Sequence, residues 1–113
     1  MSNPDFSTQY DQTLMAIENI VEAAIEESDI ELDYETVNDI LTLTCANGSS
    51  IIITRQSATS QLWLAAKSGG FHFDFVDGQW LCDSDQESLG SKLQSICLTQ
   101  GAVNINFKEA GIL

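Results

Sequence analysis

Apolar residues in the first part of the chain recur at steps of three and four. Phe6, Tyr10, Leu14, Ile17, Val21 and Ala24 form one stripe, with Ile20 and Ile25 at its edges. This spacing predicts an amphipathic helix with one buried face. Asn3, Pro4 and Asp5 stand in the order of a helix start, with a capping side chain, a proline at the first helical position and an acid in the first turn. Away from the stripe, Asp11, Glu18, Glu22 and Glu26 gather on one sector and predict a ridge of carboxylates.

The period then changes from 3.6 to 2. Residues 29–35 alternate strictly between acid and apolar, which predicts a strand with one wholly acidic face. Residues 36–39 turn the chain into a strand over 40–46. Asn47 and Gly48 predict a type I′ hairpin turn, and residues 49–56 return. Gln61 to Ala66 is a further strand, bounded by Lys67 to Gly70. Phe71, Phe73 and Phe75 alternate with His72 and Asp74, and Asp77-Gly78 turns into residues 79–82. Ser84-Asp-Gln-Glu87 has the pattern of a capping box, which starts a second helix with Leu89, Leu93, Ile96 and Cys97 buried and Gly101 as its stop. Gly90 inside that helix costs about 1 kcal/mol relative to alanine. Val103, Ile105 and Phe107 alternate in an extended tail along the core edge. Two amphipathic helices and a one-sided sheet bury their apolar faces only against each other. The expected fold is therefore α+β, a two-layer α/β sandwich with an antiparallel sheet and both helices on one face.

Composition fits one domain over 1–113, with 43% hydrophobic residues. Cys45, Cys82 and Cys97 are odd in number, widely spaced and set among apolar neighbours, so they read as reduced packing residues. No window approaches a membrane span, and residues 1–12 lack the basic and apolar regions of a secretory signal, so a cytoplasmic protein is expected. The net charge of -13 repels nucleic acid and anionic membrane surfaces, and calls for a positive partner. That charge is polarised. Residues 1–39 hold eleven acids and no lysine or arginine.

Solubility alone is the plain explanation of such a run, and two costs weigh against it. Glu18, Glu22 and Glu26 repel at i, i+4 spacing, about 0.2 to 0.5 kcal/mol per pair. Glu26 and Glu27 sit at the negative end of the first helix dipole. The acids Asp83, Asp85 and Glu87, by contrast, collect where the second helix should begin, which favours stability. A functional cation-attracting surface is the better account. Carboxylate oxygens without thiolate or imidazole suit hard cations. Residues 29–33 open like an EF-hand loop, but Tyr34 stands in place of the glycine and Ile40 in place of the bidentate glutamate, which excludes that motif. Same-face acids on a strand lie about 6.5 to 7 Å apart, so binding should be weak, multiple and exchangeable. No catalytic set, phosphate loop or Glu-x-x-His pair is present, so no enzyme is expected.

Residues 47–83, NGSSIIITRQSATSQLWLAAKSGGFHFDFVDGQWLCD, closely resemble the bacterial branch of the frataxin family. The signature is Thr54-Arg-Gln56, four intervening residues, QLWLAAKSGGFHFDF, and then Trp80-Leu-Cys-Asp83, with an acidic first helix and strand before it and a closing helix after it. The resemblance implies a frataxin fold, weak and exchangeable binding of ferrous and ferric iron, and a role in iron-sulfur cluster assembly. There the protein is expected to act as iron donor or as iron-dependent regulator of the cysteine desulfurase. By resemblance the iron-binding acids are Glu18, Glu22, Glu27, Asp29, Glu31 and Asp33, with Glu26 an added acid beside the neutral Asn19, Ala23 and Ile25. The ridge, including Asp11, Glu18 and Glu22, would meet the basic surface of the desulfurase. A sheet-surface motif maps onto Thr54, Arg55, Gln56, Gln61 and Trp63, facing an iron-sulfur scaffold protein, with Thr54 in place of the usual Asn. Gly90 replaces an aromatic common on the last helix.

The residues alone support a weaker version. Trp63 shares its strand face with Gln61, opposite Leu62 and Leu64, so it is either a partly exposed binding residue or an aromatic lying over the sheet. His72 reads as solvent-facing and Trp80 as core. A rival reading is a metal-independent acidic module that docks on a basic partner. A monomer that assembles into an oligomer with excess iron, for storage or ferroxidation, is a third, without a recognisable oxidation centre.

Overall fold

The computed structural model describes residues 6–107 and Leu113. The expected cap at Asn3, Pro4 and Asp5 lies outside them. The order is α1 (Phe6–Ser28), β1 (Leu32–Val37), β2 (Ile40–Cys45), β3 (Ser50–Gln56), β4 (Gln61–Ala66), β5 (Gly69–Val76), β6 (Gln79–Cys82) and α2 (Leu89–Gly101). The six strands pair consecutively and antiparallel, so the expected meander and α+β architecture are both present.

The stripe on α1 buries Tyr10, Leu14, Ile17 and Val21, while Phe6, Ile20, Ala24 and Ile25 pack half-buried at its margin. Against them the sheet presents Leu41, Leu43, Ile51, Ile53, Leu62, Leu64, Phe73 and Trp80, and α2 adds Leu89, Leu93, Ile96 and Cys97. Val103, Ile105 and Phe107 are buried too, so the tail closes the core edge without forming a strand. Polar groups inside this core are answered. The Trp80 Nε1–H donates to Thr13 Oγ1 at 2.7 Å, and the Tyr10 hydroxyl donates to the Asp39 carbonyl at 2.6 Å, with the Ile53 carbonyl 3.3 Å away.

Four local expectations need correction. First, α1 ends with Asp29 at φ 53°, its N–H on the Ile25 carbonyl at 3.1 Å, and β1 begins only at Leu32. The helix cap consumes Asp29, so Asp29 and Glu31 belong to the connection although they fit the strand period. Second, the type I′ turn lies at Asn38-Asp39, with φ 54° and 65°, between the paired Val37 and Ile40. At the expected site only Gly48 has positive φ, 86°. The Asn47 carboxamide oxygen accepts the Ser49 N–H at 3.0 Å, and the Cys45 N–H reaches the Ser49 carbonyl at 2.8 Å, giving a three-residue loop closed by one left-handed glycine. Third, Gly69 and Gly70 belong to β5. Fourth, α2 starts at Leu89, with Ser88 as N-cap accepting the Ser91 N–H at 3.2 Å. Gln86, at φ 62°, folds the preceding residues back onto β6, where the Cys82 N–H meets the Glu87 carbonyl, and this breaks the helical path through the expected capping box.

Asp85 and Glu87 instead hold the buried Lys92, whose Nζ lies 2.7 Å and 2.9 Å from them and 4.5 Å from the centre of the Phe71 ring. Burial pulls the Lys92 ammonium down, but hydrogen bonds to Asp85 and Glu87 more than reverse this, and the same bonds lower both carboxyls. Gly101 is the last residue of α2, and space rather than a left-handed φ requires the glycine there. A Cβ there would lie 2.9 Å from Cys45 Sγ, and it is Ala102, at φ 57°, that takes the left-handed cap.

Two outcomes follow. Thr13→Val strands the buried Trp80 N–H without an acceptor, and should lower stability by about 1 to 3 kcal/mol in denaturant unfolding. Depressed folded carboxyl pKa values confer stability that is present above the ordinary carboxylate range and lost as pH falls through it. Lys92→Met should therefore flatten the loss of melting temperature between about pH 5 and pH 3, measured against the wild type.

Candidate metal and partner surface

The flank of α1 lies beside the edge strand β1, and three hydrogen bonds fix the two. Tyr10 reaches the Asp39 carbonyl, Thr36 Oγ1 donates to Glu18 Oε2, and the Tyr34 hydroxyl donates to Glu22 Oε1. As the helix number rises the strand number falls, so the elements run antiparallel. The Tyr34 phenol is held above its ordinary pKa, first by the hydrogen bond to Glu22, then by burial, then by the charges of Glu22, Glu18 and Glu26. Of the expected site acids, Glu22 bonds to the Tyr34 hydroxyl and Glu18 to that of Thr36, while the charges of Glu18 and Glu26 act on the phenol without bonding to it. Tyr34 and Thr36 were not among the expected site residues. The alternation placed Tyr34 on the inward face, and Thr36 was read as part of the 36–39 turn although β1 runs on to Val37; the missed signal is that both carry hydroxyls beside an acidic helix.

The other acids lie elsewhere. Asp33 and Glu35 pair with Thr44 and Thr42 and share their face of the sheet, opposite the one bearing Tyr34 and Thr36. Glu31 and Asp33 border a depression of about 390 Å³ with Ile25, Thr44 and Ala46, while Glu27 borders a separate one of about 160 Å³ with Ser28, Asn104 and Asn106. Asp29 is exposed at the helix end. Asp11 is also exposed and acts on Tyr10, whose phenol is raised first by burial and then by Asp39, with a smaller contribution from Asp11. The acids therefore form several open clusters, and no group of three or more His, Cys, Asp or Glu able to enclose a metal occurs among the described residues. Arg55 and Lys92 neutralise Asp39, Asp85 and Glu87, and their ion pairs leave the α1 ridge unanswered.

On the open face of the sheet, Thr54 pairs with Trp63, Gln56 with Gln61, and Trp63 with His72. The Trp63 indole stacks on the His72 imidazole, ring centres 4.4 Å apart and tilted 19°, and its N–H donates to Gln61 Oε1 at 3.3 Å. The Gln61 amide donates to Asp74 at 3.1 Å and to Asp83 at 3.4 Å, and His72 Nδ1 stands 3.9 Å from Asp83. His72 is exposed as expected but is also the support of Trp63. Arg55 does not share this face. It pairs with Leu62 on the helix side, 3.2 Å from Asp39 and 3.1 Å from Ser7 Oγ, with its guanidinium 5.9 Å from the Tyr10 ring centre. Strand alternation separates it from Thr54 and Gln56.

The family model for the frataxin-like domain matches residues 1–111. The chain belongs to the frataxin-like family. Among its relatives, the iron-sulfur cluster assembly protein CyaY of Pseudomonas aeruginosa is 45% identical over 94 residues, covering 81% of this chain and 87% of its own. The protein of the same name from Ectopseudomonas mendocina is 40% identical over 111 residues, covering 96% and 97%. Among solved structures, frataxin from Psychromonas ingrahamii superposes with a TM-score of 0.76 at 29% identity, over 92% of this chain and 98% of that one. Trimeric frataxin from the yeast Saccharomyces cerevisiae, complexed with ferrous iron, shares the fold at a TM-score of 0.74 and 22% identity, over 91% and 92%. No helix among the described residues is long and apolar enough to cross a membrane.

The Tyr34 hydroxyl occupies Glu22 Oε1, so a cation bound at Glu22 would have to compete with it for that oxygen. Tyr34→Phe removes the competitor, and titration calorimetry with Mn²⁺ should show affinity rising by roughly two- to ten-fold, since a hydrogen bond to a charged group is worth about 1 kcal/mol or more. Unchanged or weaker binding would mean the phenol does not guard the ridge.

Proposed function

We propose that the chain is a non-enzymatic iron-binding protein of iron-sulfur cluster assembly in the bacterial cytoplasm, acting as a single domain. The observation that carries this reading is the acidic flank of α1, where Glu22 and Glu18 are bonded only to the neutral hydroxyls of Tyr34 and Thr36 and take no ion pair from Arg55 or Lys92. Relatives named for iron-sulfur cluster assembly support it. Oxygen donors in open clusters favour Fe²⁺ and Fe³⁺ held weakly, with water completing the shell, as exchange with a partner requires. Glu18, Glu22, Glu26, Glu27, Asp29, Glu31 and Asp33 are the proposed iron-binding residues, spread over the separate clusters. The ridge, from Asp11 to Glu26, docks on the basic surface of a cysteine desulfurase. The Trp63 face, with Thr54, Gln56 and Gln61, is offered to the scaffold protein. Arg55 supports that arrangement from the helix side, by holding the β1–β2 turn against α1. The protein works as a monomer, and excess iron drives any larger assembly.

The lack of an enclosed ligand set among the described residues favours one rival, an acidic docking module indifferent to metal. Cluster assembly on a scaffold, followed with and without this protein across iron concentrations, separates the two. A rate change that tracks iron supports the proposal, an increase marking donation and a decrease marking restraint of the desulfurase. A change unaffected by iron and chelator supports the module. Anaerobic Fe²⁺ titration should broaden NMR signals from Glu18 to Asp33 first, and broadening confined to His72 would sink the ridge assignment. Glu18→Lys with Glu22→Lys should weaken desulfurase binding about ten-fold or more at low salt and less at high salt, because exposed charges are screened.

A further inference from the structure

The open face of the sheet contains a hollow that the fold itself does not need. Ile52 pairs with Ala65 and Ala65 with Gly70, so these residues stand in one row across β3, β4 and β5. Thr54, Trp63 and His72 form the next row. Between the two rows, and bordered by both, lies a depression of about 110 Å³. Gly70 keeps it open. A glycine inside a strand weakens it, and marks a bend, a bulge or the close approach of another molecule. The β4–β5 register runs unbroken through Gly70, which has no positive φ, unlike Gly69 at 137°. A Cβ built on Gly70 would meet no atom within 4 Å. Neither backbone nor packing asks for this glycine, which leaves the approach of another molecule. The wall opposite is preset, because the His72 stack and the Gln61 hydrogen bond fix the Trp63 ring before anything binds.

We propose that the hollow receives one branched aliphatic side chain of a partner protein, on a segment that crosses the strands and carries a basic residue about 10 Å further on. This rests on the Trp63 face being a docking surface. Size chooses the side chain. An apolar cavity of about 150 Å³ admits a benzene ring, so this smaller, open hollow takes a single aliphatic group. Charge chooses its flank. Glu35 pairs with Thr42 and Thr42 with Ile52, so Glu35 ends the row of the hollow two strands away, at about 4.8 Å per strand. Asp33, Asp74 and Asp83 share this face, and Arg55, the only lysine or arginine within the strands, turns to the helix side. A second copy of this chain, or an anionic membrane, would set negative charge against negative charge. The aliphatic contact beside the indole is desolvated and indifferent to salt, while the basic contact at the edge is screened.

The test measures the affinity of a purified bacterial iron-sulfur scaffold protein at about 50 mM and about 300 mM salt. Gly70→Val and Ala65→Leu fill the hollow from adjacent strands, and each should weaken binding roughly ten-fold at both salts. Neither should lower the melting temperature, because Ala65 is exposed, Gly70 has open space above it and valine suits a strand. Glu35→Lys should weaken binding at low salt and much less at high salt. Filled variants that bind as the wild type overturn the receptor, and an unchanged Glu35→Lys overturns the basic flank. Trp63→Ala separates the hollow from the reading beneath it. If that variant loses affinity while the filled variants do not, the docking face stands and the hollow fails; if all bind as the wild type, or the wild type forms no complex, both fail. Self-association of the wild type that Gly70→Val abolishes gives the hollow to a second copy and overturns the partner.

Discussion

Burial of the α1 stripe on the sheet holds in place a row of charges that would otherwise drive the helix apart. Glu18, Glu22 and Glu26 repel at one-turn spacing, each pair costing about 0.2 to 0.5 kcal/mol, whereas a single buried leucine or isoleucine contributes about 1.5 to 3 kcal/mol. Leu14, Ile17 and Val21 therefore outweigh the ridge comfortably. The hydroxyls of Tyr34 and Thr36 offset part of the remainder by donating to Glu22 and Glu18. The fold can keep a charged, unneutralised flank because the opposite side of the same helix is among its best-packed surfaces.

The same arrangement sets the chemistry. A carboxylate bonded to a neutral hydroxyl stays anionic and accessible, whereas one bonded to lysine would be spent. Two of the cations are engaged with other acids: Lys92 lies against Phe71 between Asp85 and Glu87, and Arg55 pairs with Asp39 and braces the β1–β2 turn against α1. The charge polarity of the sequence is thereby preserved in three dimensions. The surface presents unpaired carboxylates, and among the described residues it encloses no metal-binding group of three or more.

Periodicity made the helices, the strand order and the two-layer packing legible, because each apolar face had only one way to be buried. The family resemblance over residues 47–83 then pointed to the use of the surface. Boundaries were less legible, for local reasons. Asp29 and Glu31 fit the alternation yet fall in a helix cap, since period alone does not register the left-handed residue that ends a helix. Asn47 has the residue type of a I′ turn, but its side chain takes the Ser49 N–H and selects another loop. Arg55 adjoins Thr54 and Gln56 in sequence and faces away from both, because neighbours on a strand never share a face. Tyr34 escaped notice for the converse reason: a residue assigned to the buried face reached past the strand edge to Glu22.

The close approach of Gly101 to Cys45 bears on what the protein can do with sulfur. It packs the end of α2 onto that thiol, and Cys82 and Cys97 are likewise buried. Burial, with Cys45 adding to it, pushes the Cys97 thiol up to about 12, which disfavours its nucleophilic thiolate. With all three described thiols buried, none is accessible to a persulfide or to a soft metal at the surface. The acidic flank of α1 thus presents carboxylate oxygens to solvent while every described thiol is kept inside.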